Sequence, residues 1–61
     1  MRTPSETAAY MLQGQNGNAA RARELARMCL TDAREGRHAE GSERYWRDVL
    51  AALGDPEFKA K

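Results

Sequence analysis

The chain has 61 residues and a formal net charge of +1, from 10 Lys and Arg against 9 Asp and Glu. A chain this short buries only about 60% of the surface that its unfolded form exposes, which limits it to one domain, residues 1–61, with a thin core. A net charge of +1 is not the strongly basic charge that a dedicated nucleic-acid-binding protein usually carries.

The cysteine and histidine content excludes the usual covalent and metal supports of a small fold. Cys29 is the one cysteine and His38 the one histidine, so the chain lacks an intramolecular disulfide and the ligands for a tetrahedral zinc site. We therefore expect no metal and no cofactor. Small scaffolds without such supports often gain stability by association, which predicts contact with a protein partner or a second copy.

Targeting signals are not evident in the sequence. The N-terminal segment has no apolar stretch of the secretory type, and no apolar run approaches the 18 residues that a membrane helix needs. We expect a cytoplasmic protein that does not contact a membrane.

The first predicted helix spans residues 4–13. Thr3 is the predicted N-cap, Pro4 suits the first helical position, and Glu6 follows Thr3 at the spacing of a capping box. Gly14 is predicted to stop this helix in the left-handed conformation. Two glycines and two asparagines then make residues 14–18 a loop.

The second predicted helix spans residues 19–35, with Asn18 as its cap and Gly36 as its stop. Its apolar face is a stripe made mostly of small side chains: Ala19, Ala22, Leu25, Ala26, Cys29, Leu30 and Ala33. Small side chains let a neighbouring helix approach closely, so we expect this helix to be the central, most tightly packed one.

The third predicted helix spans residues 39–53, with Ser42 as the better of two possible caps, and it ends at Gly54. Its apolar face combines aromatic and branched residues: Ala39, Tyr45, Trp46, Val49, Leu50, Ala52 and Leu53. Gly41 falls within the predicted span, which is explained if a neighbouring helix crosses against it. A short turn capped by Asp55 follows in the tail, residues 55–61.

These elements predict an all-α fold, with a short N-terminal helix followed by an antiparallel helical hairpin, assembling as a dimeric helical bundle. Several residues fall near the positions expected of one tetratricopeptide-type unit: Leu25, Met28, Cys29, Gly36, Gly41 and Tyr45. The chain resembles such a unit between Leu25 and Pro56. It departs from the pattern at Asp48, where the family has a small apolar residue, and at Pro56, which arrives about one turn late. Since these repeats need stacked neighbours, the resemblance implies a shared way of packing two helices.

A protein interface is the predicted functional site. The residues that we expect to form it are Tyr45, Trp46, Leu50 and Leu53, with Met11 and Met28 at its edges. The second helix presents mainly alanines opposite Trp46, so we expect Trp46 to be buried in part by another chain. Aromatic anchors of this kind are the usual centre of protein interfaces. The predicted function is non-catalytic: a regulatory or inhibitory adaptor that binds a larger protein or itself.

Other functions remain open at the level of the sequence. Arg23, Arg27 and Arg34 share one ridge of the second helix. Such a ridge can contact phosphates in a small nucleic-acid-binding dimer, or it can be a solvated face whose arginine stems cover apolar surface. A further alternative is an inhibitor of a host protein carried by a phage or mobile element. Cys29 could link subunits in a redox sensor, although its position in the apolar stripe favours burial. Catalysis is not expected, because the titratable residues do not converge.

Overall fold

The computed structural model of the chain describes residues 2–37 and 41–59, and over these ranges it contains helices and no strand. Three helices follow one another: α1 (Pro4–Gly14), α2 (Ala19–Arg34) and α3 (Glu43–Ala52). The predicted all-α class is therefore confirmed. Within the described residues, no helix combines the length and the hydropathy that crossing a bilayer requires.

Each helix begins at the side chain that the sequence indicated as its cap. Thr3 and Glu6 form a complete capping box, in which the Thr3 N–H donates to Glu6 Oε1 at 2.9 Å and the Glu6 N–H donates to Thr3 Oγ1 at 3.2 Å. These bonds favour the ionised carboxylate and lower the pKa of Glu6 below its ordinary value. Asn18 and Ser42 accept hydrogen bonds from backbone N–H groups in the first turns of α2 and α3.

The end of α1 differs from the prediction that Gly14 supplies the left-handed stop. Gly14 is the last helical residue, and the positive φ angles belong to Asn16 (56°) and Gly17 (82°). The Gly17 N–H donates to the Leu12 carbonyl at 2.9 Å, which closes the helix in a Schellman-type turn. Asparagine tolerates the left-handed region better than most residues, so Asn16 takes the position usually held by glycine.

Helices α2 and α3 end as predicted. Gly36 and Gly54 follow them with φ angles of 73° and 81°. The next N–H groups, those of Arg37 and Asp55, return to carbonyls in the last helical turns at 2.8 and 3.0 Å. Beyond Gly54 the chain forms the expected short turn.

The start of α3 lies later than the predicted residue 39. The helix begins at Glu43, and Gly41 precedes its cap with a φ of 76°. The sequence suggested that a neighbouring helix crosses against Gly41, but the nearest atoms belong to side chains of α3. A Cβ at Gly41 would lie 2.8 Å from Cδ2 of Tyr45 and 3.1 Å from Nε1 of Trp46, so this segment approaches the aromatic rings of its own helix. The predicted helical positions 39 and 40, and His38, lie outside the described residues.

Helix α3, and not α2, is the central helix. It packs against both α1 and α2, whereas α1 and α2 contact each other much less. The core consists of eight buried apolar residues: Ala8, Ala22, Ala26, Leu30, Trp46, Val49, Leu50 and Leu53. Most of the large side chains among them come from α3 and its C-cap, so this segment fills the middle of the molecule. The alanines of α2 allow it to lie close by, as their size predicted.

Candidate functional site

Three of the four central side chains of the predicted interface are buried by the chain itself. Trp46 is 6% exposed, Leu50 0% and Leu53 7%, in a single copy of the chain. Trp46 also packs edge-on against Tyr45, with ring centroids 5.4 Å apart and an interplanar angle of 87°. The expectation that another chain completes the burial of Trp46 is therefore wrong for this structure, because the small helices enclose the indole without help.

Tyr45 connects α3 to the N-terminal segment. Its hydroxyl donates to the Arg2 carbonyl at 2.9 Å and forms a second hydrogen bond with the Thr7 hydroxyl. The ring is partly buried and packs against the core. The sequence predicted Tyr45 as an interface residue, whereas in the structure its hydroxyl holds α1 and the N-terminal segment against α3.

The two methionines of the predicted interface have different surroundings. Met11 is partly buried and packs against the core from α1. Met28 is 64% exposed on α2. Met28 thus remains a candidate contact residue, as an isolated apolar side chain on an otherwise polar surface.

The predicted arginine ridge is largely engaged by the chain's own oxygen atoms. Arg27 forms a forked pair with Asp55, with Nε to Oδ2 and Nη2 to Oδ1 both at 3.0 Å, and it reaches Glu57 at 3.3 Å. The hydrogen bond to Asp55 raises the pKa of Arg27 above its already high ordinary value. Arg34 pairs with Glu43 at 3.1 Å. Two of the three arginines of the ridge are therefore paired with carboxylates of the chain, as a solvated helix face allows.

The pair of Arg27 with Asp55 organises the C-terminal turn. Asp55 is 1% exposed and also accepts a hydrogen bond from the Glu57 N–H at 2.9 Å. Phe58 then packs against the core, with the guanidinium carbons of Arg27 and Arg47 at 5.7 and 5.9 Å from its ring centroid. Sequence reasoning missed this arrangement because Arg27 and Asp55 are 28 residues apart.

A groove of about 450 Å³ lies where α1 meets the first residue of α2 and the last turn of α3. We call it the alanine groove. Its lining is Ser5, Ala8, Ala9, Leu12, Ala19, Ala52 and Leu53. All of these side chains except that of Ser5 are apolar, and most are alanines. The walls are therefore short side chains on helical backbone, which a partner can approach closely.

Each helix contributes to the alanine groove for a local reason. Ser5, Ala8, Ala9 and Leu12 recur at the three- and four-residue spacing of one helix face, so they form one continuous wall of α1. Ala19 begins α2, directly after the Asn18 cap. Ala52 ends α3, and Leu53 is its C-cap.

Sequence reasoning identified Leu53 of this groove as an interface residue and missed the remainder. The available signal was the stripe of small residues on the second helix, which includes Ala19 and was interpreted as close helix packing. Of the alanines of α1 and α3 that line the groove, Ala8 is buried, whereas Ala9 and Ala52 are exposed. The sequence pattern alone does not distinguish an alanine that is covered by a helix from one beside an open groove.

Metal and thiol chemistry receive little support from the geometry. Across residues 2–37 and 41–59, no cluster of three or more His, Cys, Asp and Glu side chains is arranged to hold a metal ion. Cys29 is partly buried, and burial, with a smaller contribution from Asp32, raises the pKa of its thiol. A raised pKa leaves less thiolate at neutral pH, which opposes the reactivity that a redox sensor needs.

No protein-family model, curated protein or solved structure matches this chain. The tetratricopeptide-type resemblance thus has no support from a family comparison.

Proposed function

We propose that the protein is a non-catalytic interaction module, with α2 and α3 as an antiparallel hairpin, that binds an apolar segment of another protein in the alanine groove. Its role is that of a regulatory or inhibitory adaptor. The observation that carries this proposal is the groove itself, which is apolar and framed by all three helices. An apolar groove that receives an apolar segment of a partner is a recurring mode of peptide recognition.

Burial within the chain directs the proposal to this groove. Trp46 and Leu50 are 6% and 0% exposed, so a partner reaches them only if the fold opens. Ala9 and Ala52 are exposed on the two sides of the groove and are accessible without rearrangement. Alanine walls also lose little side-chain entropy when a partner covers them.

The first test compares two variants that add the same charged side chain at exposed helical positions. Ala52→Arg fills the alanine groove, whereas Thr31→Arg adds an arginine on α2 far from it. Thr31 is twelve residues after Ala19, which is about 18 Å at the helical rise. Both variants should keep the helical circular dichroism spectrum of the wild type, because both replace exposed side chains.

The tagged wild type and both variants are used to capture partners from nuclease-treated extracts of the source cells. We expect a stoichiometric protein with the wild type and Thr31→Arg, and its loss with Ala52→Arg. Retention of the partner by Ala52→Arg would refute the groove as the binding site. Sedimentation of the pure chains detects the alternative occupant, a second copy, as a dimer that Ala52→Arg dissociates.

A further inference from the structure

Arg23 neighbours two residues that line the alanine groove. It follows Ala19 by one helical turn on α2, and its Nη1 donates to the Leu53 carbonyl at 3.3 Å. Ala19 and Leu53 both line the groove. The guanidinium is therefore fixed at the C-terminal end of α3, next to the apolar walls.

Among the described residues, Arg23 has no carboxylate partner, whereas three other arginines do. Arg27, Arg34 and Arg37 each form an ion pair with a carboxylate of the chain. Among residues 2–37 and 41–59, no carboxylate lies within ion-pair distance of Arg23, whose side chain is only partly exposed. A guanidinium has five N–H donors, and the bond to Leu53 uses one of them. The remaining donors are a partly desolvated positive site beside residues of an apolar groove.

The dimensions of the groove suit a helix better than an isolated side chain. Its α1 wall runs from Ser5 to Leu12, which is about 10 Å, or nearly two turns, at the helical rise. A docked amphipathic helix presents apolar anchors one turn apart, at positions i and i+4. A residue one turn beyond these anchors then lies near the end of the groove, outside its apolar walls.

We infer that the alanine groove binds an amphipathic helix that carries an acidic residue about one turn from its apolar anchors, and that Arg23 binds this carboxylate. The inference rests on the proposed function, because it names the class of partner for the same groove. A carboxylate can accept two parallel hydrogen bonds from an arginine, which gives both affinity and orientation.

Arg23 also has a structural role that the test must separate. A cation at a helix C-terminus stabilises the free carbonyl groups, and the bond to Leu53 is of this kind. Capping of α3 does not require an acidic partner. The charge preference of bound peptides is thus the readout that a purely structural role leaves unchanged.

The experiment selects helical peptides from a displayed library, with randomised surface positions, against the full chain. The baits are the wild type, Arg23→Glu, Arg23→Gln and Ala52→Arg. Arg23→Gln retains an amide donor for the Leu53 carbonyl but removes the charge, so it controls for the capping role. Circular dichroism of every bait establishes that it is folded before selection.

We expect the wild type to enrich peptides with paired apolar anchors and with Asp or Glu at one fixed spacing from them. Arg23→Glu should instead enrich Lys or Arg at that position, and Arg23→Gln should show no charge preference. A peptide selected on the wild type should bind Arg23→Glu at least about tenfold more weakly by fluorescence anisotropy, with a difference that shrinks as salt is raised.

Two other outcomes are informative. Peptides without a charge preference that Ala52→Arg no longer binds would overturn the role of Arg23 and leave the groove as the binding site. Peptides that bind Ala52→Arg as well as the wild type, or no enrichment on any bait, would overturn both this inference and the proposed function.

Discussion

Substitution of Trp46 by alanine tests whether the chain completes its own core. Trp46 is 6% exposed, and a buried aromatic residue removes about 150–250 Å² from water. At about 25 cal/mol per Å² this burial contributes about 4–6 kcal/mol as an upper estimate. Measured aromatic-to-alanine substitutions in cores cost about 3–5 kcal/mol. With about 0.05–0.15 kcal/mol of stability per residue, a chain of 61 residues has only about 3–9 kcal/mol in total.

Trp46→Ala should therefore lose most of its helical circular dichroism signal at room temperature, because its cost is comparable to the whole stability of the fold. The matched control is Met28→Ala, whose side chain is 64% exposed and whose urea midpoint should be nearly unchanged. Sedimentation of the same samples measures association. If Trp46→Ala unfolds at the wild-type urea concentration and only its association is weakened, the indole belongs to an interface and the reasoning is refuted.

Three further predictions concern backbone geometry and ionisation. Gly41→Ala should destabilise the fold more than Gly36→Ala in urea unfolding, because only a Cβ at Gly41 meets an aromatic ring, at 2.8 Å. Both glycines have a positive φ, so both substitutions also cost about 1–2 kcal/mol for the backbone conformation; equal losses of stability would contradict the ring contact. The carboxyl of Glu6 should titrate below the ordinary glutamate pKa by NMR, and its stabilising effect should be lost as pH falls through that lowered value. Thr3→Ala should return the pKa toward normal, and no change would dismiss the capping box as its cause. Cys29 should react with iodoacetamide several-fold more slowly in the folded chain than in urea at pH 8, because its raised pKa and partial burial reduce accessible thiolate; equal rates would restore the redox hypothesis.

Local sequence signals predicted most of the helix boundaries. Thr3, Asn18 and Ser42 each cap a helix because a capping side chain acts within three residues of its own position. The same locality explains the stops at Gly36 and Gly54. The error at Gly14 arose because a glycine and an asparagine compete nearby, and the actual turn uses Asn16.

Long-range contacts are the part that the sequence did not predict. The hydroxyl of Tyr45 reaches Arg2 across 43 residues, and Arg27 pairs with Asp55 across 28. Helical periodicity assigns a residue to a face, but it does not state which face of another helix lies opposite. For this reason the helix face of Arg27 could be predicted, whereas its partner Asp55 could not.

Burial explains why the predicted interface residues and the candidate site separate in the structure. Large apolar side chains such as Trp46 and Leu50 contribute most to stability when the chain itself buries them, and both are buried in the core. The surface that remains accessible to a partner then consists of small side chains outside the core, here the exposed Ala9 and Ala52.

The proposed binding at the alanine groove can consequently be varied independently of folding. Exposed positions such as Ala52 are not members of the buried core, and surface substitutions usually change stability by no more than about 0.5 kcal/mol. Ala8 and Leu53 belong to both the core and the groove, so substitutions there change both properties together. A loss of binding therefore identifies the binding surface only at the exposed positions, where stability does not change with it. If Ala52→Arg abolishes binding at unchanged stability while Leu53→Ala loses both, the groove is the binding surface and the core serves to hold its walls in place.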